Sequence, residues 1–190
     1  MAIATETVIF DVYDAKVYPL MTDIVGASPT YGSAVDVPGI AQVSMDPNII
    51  SAELKGDMRV LAKRGRIDRF NMNMTYGKLA MDVLEIVIGG TVTSSGTTPN
   101  EVQTLRFAGS LSLPSFKVAF QITDTDEGIG DLTVVAYKCQ VTGGTLLNGQ
   151  TDQFGQPTMQ VEAIAIQGSL NGTANVVADF MLHESETAIA

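Results

Sequence analysis

Alternating apolar and polar residues recur along the chain and predict β-strands. In the segment FNMNMTY, residues 70–76, every second side chain is apolar, which is the pattern of a strand with one buried face. SLPSFKVAFQITD has the same character, and DLTVVAYKCQVTGG and TMQVEAIAIQGSL each end in a glycine-containing turn signal. Short strands separated by Gly, Pro, Asn and Asp predict a mainly β fold, either a sandwich or barrel-like.

One segment follows a helical period instead. GKLAMDVLEIVIGG places Leu79, Val83, Leu84 and Val87 on one stripe, and the glycine pair that follows stops the pattern. The spacing predicts a single amphipathic helix over about residues 78–88, packed against a sheet. The next segment, TVTSSGTTPN (residues 91–100), is predicted to be a polar loop.

The first fifty residues differ from the rest because they contain clustered prolines and glycines, as in YPLMTDIVGASPTYGSAVDVPGI. This composition predicts an extended arm or a loop-rich segment. We find no internal repeat and no linker. We therefore expect one domain over residues 1–190, with an N-terminal arm at about 1–15 and a C-terminal tail at about 180–190.

The composition is poor in charge. Of the 190 residues, 45% are hydrophobic and 17% are charged, against about 25% charged in an ordinary soluble domain. One interpretation is that part of the surface meets other subunits, since obligate interfaces are more apolar than free surface. The alternative is a large core beneath a Ser, Thr and Gly surface, and composition leaves both open.

Positive charge is concentrated in LKGDMRVLAKRGRIDRF (residues 54–70), which holds six of the eleven Lys and Arg residues of a chain with net charge −10. Interpreted as a hairpin turning near Gly65, the segment splits its cations between two faces and mixes them with carboxylates. A nucleic-acid site is disfavoured by this mixture and by a pI of about 4.3. A solvated edge hairpin and a subunit contact remain open. The candidate contact residues are Arg59, Lys63, Arg64, Arg66, Arg69, Asp57 and Asp68.

The opposite charge dominates the end of the chain. Beyond Lys138 there is no Lys or Arg at all. If copies of the chain assemble, basic surface on one copy can therefore meet acidic surface on the next. A solvated asymmetry without function is the alternative. The acidic residues of this part are Asp152, Glu162, Asp179, Glu184 and Glu186.

Catalytic chemistry finds little support in the sequence. The lone His183 lies near the end of the chain, and the lone Cys139 lies in a β-branched run typical of a buried structural thiol. The acidic segment DTDEGIGD (residues 124–131) lacks the glycine and glutamate positions of a calcium loop. We predict no catalytic, cofactor-binding or metal-binding residue, and no enzymatic activity.

The first residues, MAIATETVIFDVYDAK, lack the basic and apolar regions of a signal peptide, and no apolar run reaches the length of about 20 residues that a membrane span needs. We therefore expect a soluble protein made in a cytoplasm, with no membrane partner.

Several segments together resemble major tail tube proteins of long non-contractile-tailed bacteriophages (the siphophage type), which are related to the tube proteins of type VI secretion systems. The resemblance covers about residues 14–144 and continues more weakly through FGQPTMQVEAIAI. The matching segments, in order, are YDAKVYPL, PTYGSAVDVPGI, AELKGDMRVLA, LAMDVLEIVIGGTV, SFKVAFQ and VVAYKCQVTGG.

The resemblance implies a tail tube fold and a structural virion protein whose copies form hexameric rings that stack into a conduit for DNA ejection. It implies further partners in the tape measure, tail tip and terminator proteins, and assembly in the host cytoplasm. The hairpin at residues 59–69, the loop at 91–100, the first fifty residues and the tail from Phe180 would be contact regions. The motif positions explained by turn geometry are Gly56, Asp57, Gly89, Gly90, Gly143 and Gly144.

A conduit for DNA should lack fixed cations on its inner wall, because each contact of a Lys or Arg with phosphate adds affinity. On this interpretation Arg59, Lys63, Arg64 and Arg66 point away from the channel. Two other classes stay open: an immunoglobulin-like or adhesin-type binding module, and a hydrolase with paired carboxylates at Asp124 and Asp126.

Overall fold

The computed structural model describes residues 11–123, 131–149, 151–183 and 187–189. With 59% strand and 5% helix the structure is mainly β, which confirms the predicted fold class and the flanking helix. The elements of the described residues are β1 Asp11–Thr22, β2 Thr30–Tyr31, β3 Val35–Asp36, β4 Ile40–Gly56, β5 Arg59–Tyr76, α1 Met81–Ile88, β6 Thr91–Ser95, β7 Val102–Arg106, β8 Phe116–Thr123, β9 Leu132–Thr145, β10 Thr158–Ala163, β11 Ser169–Leu170, β12 Thr173–Ala174 and β13 Ala178–Leu182.

One antiparallel sheet organises the described chain, in the order β2-β1-β8-β9-β10-β5-β4. β3 pairs with β1, and β13 pairs with the first part of β9, while the later part of β9 pairs with β10. The strands β6 and β7 form a separate hairpin, as do β11 and β12.

The core lies on the inward side of this sheet, where the alternation seen in the sequence places the apolar side chains. The predicted strand at residues 70–76 is confirmed, because its apolar residues face inward and its Asn and Thr residues face outward. Helix α1 packs on the same core through Val83 and Val87. The strand residues that fill the core include Ala15, Val17, Met72, Met74, Tyr76, Phe116, Val118, Phe120, Val134, Ala136, Cys139, Met159, Val161 and Ala163.

The helix is shorter than predicted, because it begins at Met81 and leaves Leu79 outside it and exposed. It ends at Gly89, as expected, with φ of +87° there and +108° at Gly90. A Cβ at Gly90 would lie 2.8 Å from the carbonyl oxygen of Arg106. Both the left-handed backbone and the close approach of β7 therefore require glycine.

The interpretation of the first fifty residues as an arm or loop-rich segment was wrong for β1. This strand pairs with β8 on one side and with β2 and β3 on the other, and Ala15 and Val17 are fully buried. Pro19 lies within β1, opposite Phe116 of β8, and the other prolines and the glycines before β4 lie in the segments that connect β1, β2, β3 and β4. Residues 11–15 of the expected arm therefore belong to the sheet, and residues 1–10 lie outside the described residues. Of the expected tail, β13 pairs with β9 and Ile189 is buried.

The expected turn near Gly65 was also wrong, since β5 runs through this residue and pairs it with Ser51. The chain reverses instead at Asp57 and Met58, whose φ values of +49° and +61° form a two-residue hairpin turn. The predicted loop at residues 91–100 contains β6, which pairs with β7.

The glycine pair at the end of VVAYKCQVTGG also differs from the expectation of a turn. Gly143 and Gly144 lie inside β9, opposite Gln160 and Met159 of β10, next to a shift of register. A Cβ at Gly144 would lie 2.8 Å from the Cα of Met159. Glycine here permits a bulge in the ladder, which explains why a turn-like sequence continues as a strand.

Candidate functional site

The hairpin of β4 and β5 extends well beyond the sheet. β10 covers β5 only from Phe70 to Thr75, so among the described residues no third strand pairs with the part of the hairpin from Asn48 to Arg69. We call residues 48–69 the ribbon. At about 3.4 Å per residue it projects roughly 30 Å. Its side chains are exposed on both faces, except that Asp68 and Arg69 at its base are half-buried.

The ribbon carries an unusual amount of exposed apolar surface. An isolated two-stranded hairpin is only marginally stable in water, and monomeric proteins rarely expose contiguous apolar patches of this kind. The ribbon therefore has the composition of a segment that packs on another surface. Its exposed large apolar residues are Ile49, Ile50, Leu54, Met58, Val60, Leu61 and Ile67.

Cross-strand pairing assigns the ribbon's side chains to faces, because directly opposed residues point to the same side. Arg64 lies opposite Ala52, and Arg66 lies opposite Ile50, on one face; Lys63 lies opposite Glu53 on the other. The prediction that cations are divided between the two faces is therefore confirmed. The face with the two arginines also holds Leu54 and Ala62, and a shallow apolar groove of about 330 Å³ lies there.

The candidate contact residues divide into paired and unpaired charges. Lys63 Nζ lies 3.0 Å from Glu53 Oε1. Arg69 contacts Asp68 at 2.9 Å and Glu162 at 3.0 Å, and these hydrogen bonds raise the pKa of its guanidinium. Within the described residues the remaining candidates form no ion pair; these are Arg59, Arg64, Arg66 and Asp57.

A second surface of interest is the outward side of β4, β5, β10 and β9. Register places Ser44, Asn73 and Gln160 in one row and Asp46, Asn71 and Glu162 in the next. We call this the polar face. None of its positions holds Lys, Arg or a large apolar side chain. Its members are Gln42, Ser44, Asp46, Asn71, Asn73, Thr75, Thr158, Gln160, Glu162, Gln140 and Thr145.

Sequence reasoning found the polar side of residues 70–76 but not the polar face. The alternation in β10 and the polar positions of β4 were available signals. Their alignment with Asn71 and Asn73 depends on register between strands far apart in the chain, which no local pattern specifies.

A partly buried ion pair anchors the loop between β1 and β2. Lys138 Nζ lies 2.7 Å from Asp23 Oδ2. The backbone N–H groups of Gln167 and Gly168 also donate to the Asp23 carboxylate. Burial alone would raise the pKa of Asp23, but the hydrogen bonds from Lys138, Gln167 and Gly168 and the charge of Lys138 together lower it. This loop is therefore tied firmly to the body.

The last described residues pack on the outer face of β1, β8 and β9. Lys16 Nζ donates to the carbonyl oxygen of Ile189 at 2.8 Å. Nearby, Lys117 Nζ lies 3.6 Å from the ring centroid of Tyr18, and burial lowers the pKa of its ammonium group. Part of the expected tail is thus held against the body.

The residues weighed for chemistry do not converge. Cys139 is fully buried, its Sγ lies 3.6 Å from the carbonyl oxygen of Ala136, and burial raises the pKa of the thiol. The backbone N–H of His183 donates to the carbonyl oxygen of Asp131. Asp131 itself is buried with its carboxylate bonded to Gln121 and to the Thr187 N–H. Asp124 and Asp126 lie outside the described residues.

Across residues 11–123, 131–149, 151–183 and 187–189, three or more His, Cys, Asp or Glu side chains nowhere gather as a metal site would require. In the same ranges no helix combines the length and the apolar character of a membrane span.

Comparison with solved structures finds seven similar chains. No protein-family model matches the chain, and neither does any curated protein. The structure is similar to a cryo-EM structure of the anti-feeding prophage cap, described as the AFP tube terminating cap. The TM-score is 0.48 at 12% sequence identity, over 96% of this chain and 97% of that chain. At this level the likeness carries no argument about what the chain does.

Proposed function

We propose that the chain is a non-catalytic structural subunit of a phage tail tube of the siphophage type. Copies form rings, hexameric on the family resemblance, and the rings stack into the conduit through which phage DNA is ejected. The observation that carries the proposal is the ribbon, which leaves the sheet with neither face covered by the rest of the described chain and with seven large apolar side chains exposed.

The ribbon favours a contact between unlike surfaces. The ribbon projects from the sheet, and the surface that covers it on a neighbouring copy need not be another ribbon. Such head-to-tail contacts generate rings when they close and open stacks when they do not, whereas a self-complementary contact ends at a dimer. A subunit that must polymerise needs contacts of the first kind.

Charge supports the same arrangement. Arg59, Arg64 and Arg66 of the ribbon have no ion-pair partner among the described residues, while the chain beyond Lys138 has carboxylates and no cation. Opposite potentials on two surfaces of one subunit orient neighbouring copies and exclude wrong registers. The ribbon cations would then meet protein carboxylates.

The remaining partners come from the family resemblance. A tube of this kind contacts the tape measure, tail tip and terminator proteins. The subunit would be a virion component, assembled in the host cytoplasm, and double-stranded DNA would pass through it without specific binding.

Negative-stain electron microscopy and light-scattering mass, measured over a concentration series, test the proposal. We expect the wild-type protein to form rings or tubes of regular axial repeat. The double variant Ile50→Asp with Leu54→Asp should stay monomeric and folded, because it places charge on the apolar face of the ribbon. Leu147→Asp, at a leucine outside the ribbon that is even more exposed than Ile50 and Leu54, is the control and should assemble.

A wild-type protein that stays monomeric at every concentration, and also with tail-tip components present, would contradict the proposal. That outcome would favour the binding module, in which the ribbon recognises a ligand.

A further inference from the structure

Arg69 borders the polar face, and carboxylates lie on both of its sides. Its Nε and Nη2 atoms lie 3.0 Å and 2.9 Å from Asp68 Oδ2. Its Nη1 atom lies 3.0 Å from Glu162 Oε2, on the neighbouring strand β10. Two carboxylates on one guanidinium leave the cluster with a net negative charge.

The position of Asp68 depends on an irregularity in the strand. Adjacent residues of a regular strand point to opposite faces, so Asp68 and Arg69 would normally not meet. Here the register shifts between Asn48, which lies opposite Arg69, and Ile49, which lies opposite Ile67. Asp68 is the extra residue of this bulge, which re-aims its side chain toward Arg69.

The polar face itself has the composition of a surface that stays in water. None of the exposed large apolar side chains lies on it. None of the eleven Lys and Arg residues belongs to it. It offers amides, hydroxyls and two carboxylates to solvent, and these groups give phosphate no fixed positive charge to bind.

We propose that the polar face lines the channel, and that Asp68 and Glu162 are positioning residues that keep Arg69 from gripping the phosphates of passing DNA. This inference rests on the proposed tube function. A free guanidinium binds phosphate bidentately. Repeated in every copy along the tube, such a contact would retard the duplex, since each phosphate neutralised adds to the affinity through counterion release.

The experiment compares tubes assembled with a short fluorescent DNA duplex and sedimented at a series of salt concentrations. The variant Asp68→Asn with Glu162→Gln releases Arg69 and should retain much more duplex at low salt. Its plot of log affinity against log salt should steepen by about 0.9 for each phosphate contacted. Adding Arg69→Gln to this pair should return retention to the wild-type level.

A matched control separates this effect from a general change of charge. The pair Asp82→Asn with Glu101→Gln also removes two carboxylates, both from exposed positions outside the polar face and the ribbon. It should retain no more duplex than the wild type. Equal retention by the two pairs would overturn the inference, as would retention that survives the addition of Arg69→Gln.

Thiol labelling of tubes formed by a single-cysteine-substitution variant tests the placement of the polar face independently. The native Cys139 is fully buried, so Gln160→Cys supplies the reactive thiol. In tubes we expect labelling by a small maleimide and exclusion of a large polyethylene-glycol maleimide, which should label the free subunit. Efficient labelling of tubes by the large reagent would place the face outside the channel and overturn the inference.

Electron microscopy of the same samples distinguishes the two proposals. An absence of tubes in the wild-type sample counts against the tube function itself. Tubes that form normally and fail the retention or labelling test leave the tube function standing and refute only the role of the polar face.

Discussion

The two halves of the β4–β5 hairpin, the half in the body of the sheet and the ribbon, belong to the same strands but differ in side-chain burial. In the body half, Met72 and Met74 are at most 1% exposed. In the ribbon, Leu54 is 62% exposed although it is paired with Ala62 across the hairpin. The difference is the presence of β10 and of the core on one side. Strand pairing is therefore a local property, whereas burial depends on what else the fold brings to the same strand.

This comparison teaches how an apolar strand pattern should be interpreted. Apolar residues in the body half contribute to the stability of the subunit. Apolar residues in the ribbon contribute nothing comparable in the isolated chain, and they gain a role only when another surface covers them. The predictions below separate these two kinds of contribution.

The largest contrast should appear in hydrogen exchange. Amides of the ribbon should open with free energies near zero in the isolated subunit, while those of Phe70–Tyr76 should approach the global free energy of unfolding, about 5–15 kcal/mol. Mass-spectrometric exchange measures both in one experiment. The ribbon should become protected in tubes, and equal protection of the two halves in the monomer would break the comparison.

Truncating one side chain in each half should separate them again. Met74→Ala removes a fully buried side chain and should lower the free energy of unfolding by about 2–5 kcal/mol. Leu54→Ala should change it by less than about 0.5 kcal/mol. Urea denaturation of the two variants checks this, and a comparable loss in both would mean that the ribbon packs on its own body.

An ion pair in the body of the subunit should contribute more to the free energy of unfolding than an ion pair on the ribbon. Asp23→Asn leaves Lys138, only 17% exposed, without its partner, and should cost about 3 kcal/mol. Glu53→Gln removes the partner of Lys63 on the exposed ribbon and should cost less than about 1 kcal/mol. Denaturation at neutral pH compares them. A larger loss from the ribbon pair would contradict the comparison.

The Asp23 contribution should also depend on pH. Because the folded pKa of Asp23 is lowered, its contribution is fully present above the unfolded value of about 3.9 and is lost as pH falls through the lower folded value. The stability difference between wild type and Asp23→Asn should therefore shrink in strong acid, as measured by denaturation at decreasing pH. A constant difference would exclude this linkage.

The smallest effect should come from the hairpin turn. Met58 has a φ of +61°, which costs a non-glycine residue about 1 kcal/mol. Met58→Gly should slow amide exchange in the ribbon by about fivefold and leave global unfolding unchanged. A matching rise in global stability would show that the ribbon and the body unfold together.

Much of the fold was predictable because its signals are local. Alternation at residues 70–76 and in β8, β9 and β10 identified strands, since a period of two depends only on adjacent residues. The stripe ending at Gly89 identified the helix. The failures were of another kind: β1 was hidden by Pro19 within it and by the prolines and glycines of the turns beside it, and the hairpin turn was placed at Gly65 rather than at Asp57 and Met58.

Of the candidate site, the sequence determined which residues carry charge, that the ribbon's cations divide between two faces, and that Cys139 belongs to a core strand. Tertiary structure alone decided that β10 stops at Ala163 and that no other described strand covers the ribbon. It also brought Glu162 to Arg69, 93 residues away, and aligned the polar face across four strands. The alternation of apolar and polar side chains depends only on neighbouring residues, whereas strand register and the end of a partner strand depend on the packing of distant segments.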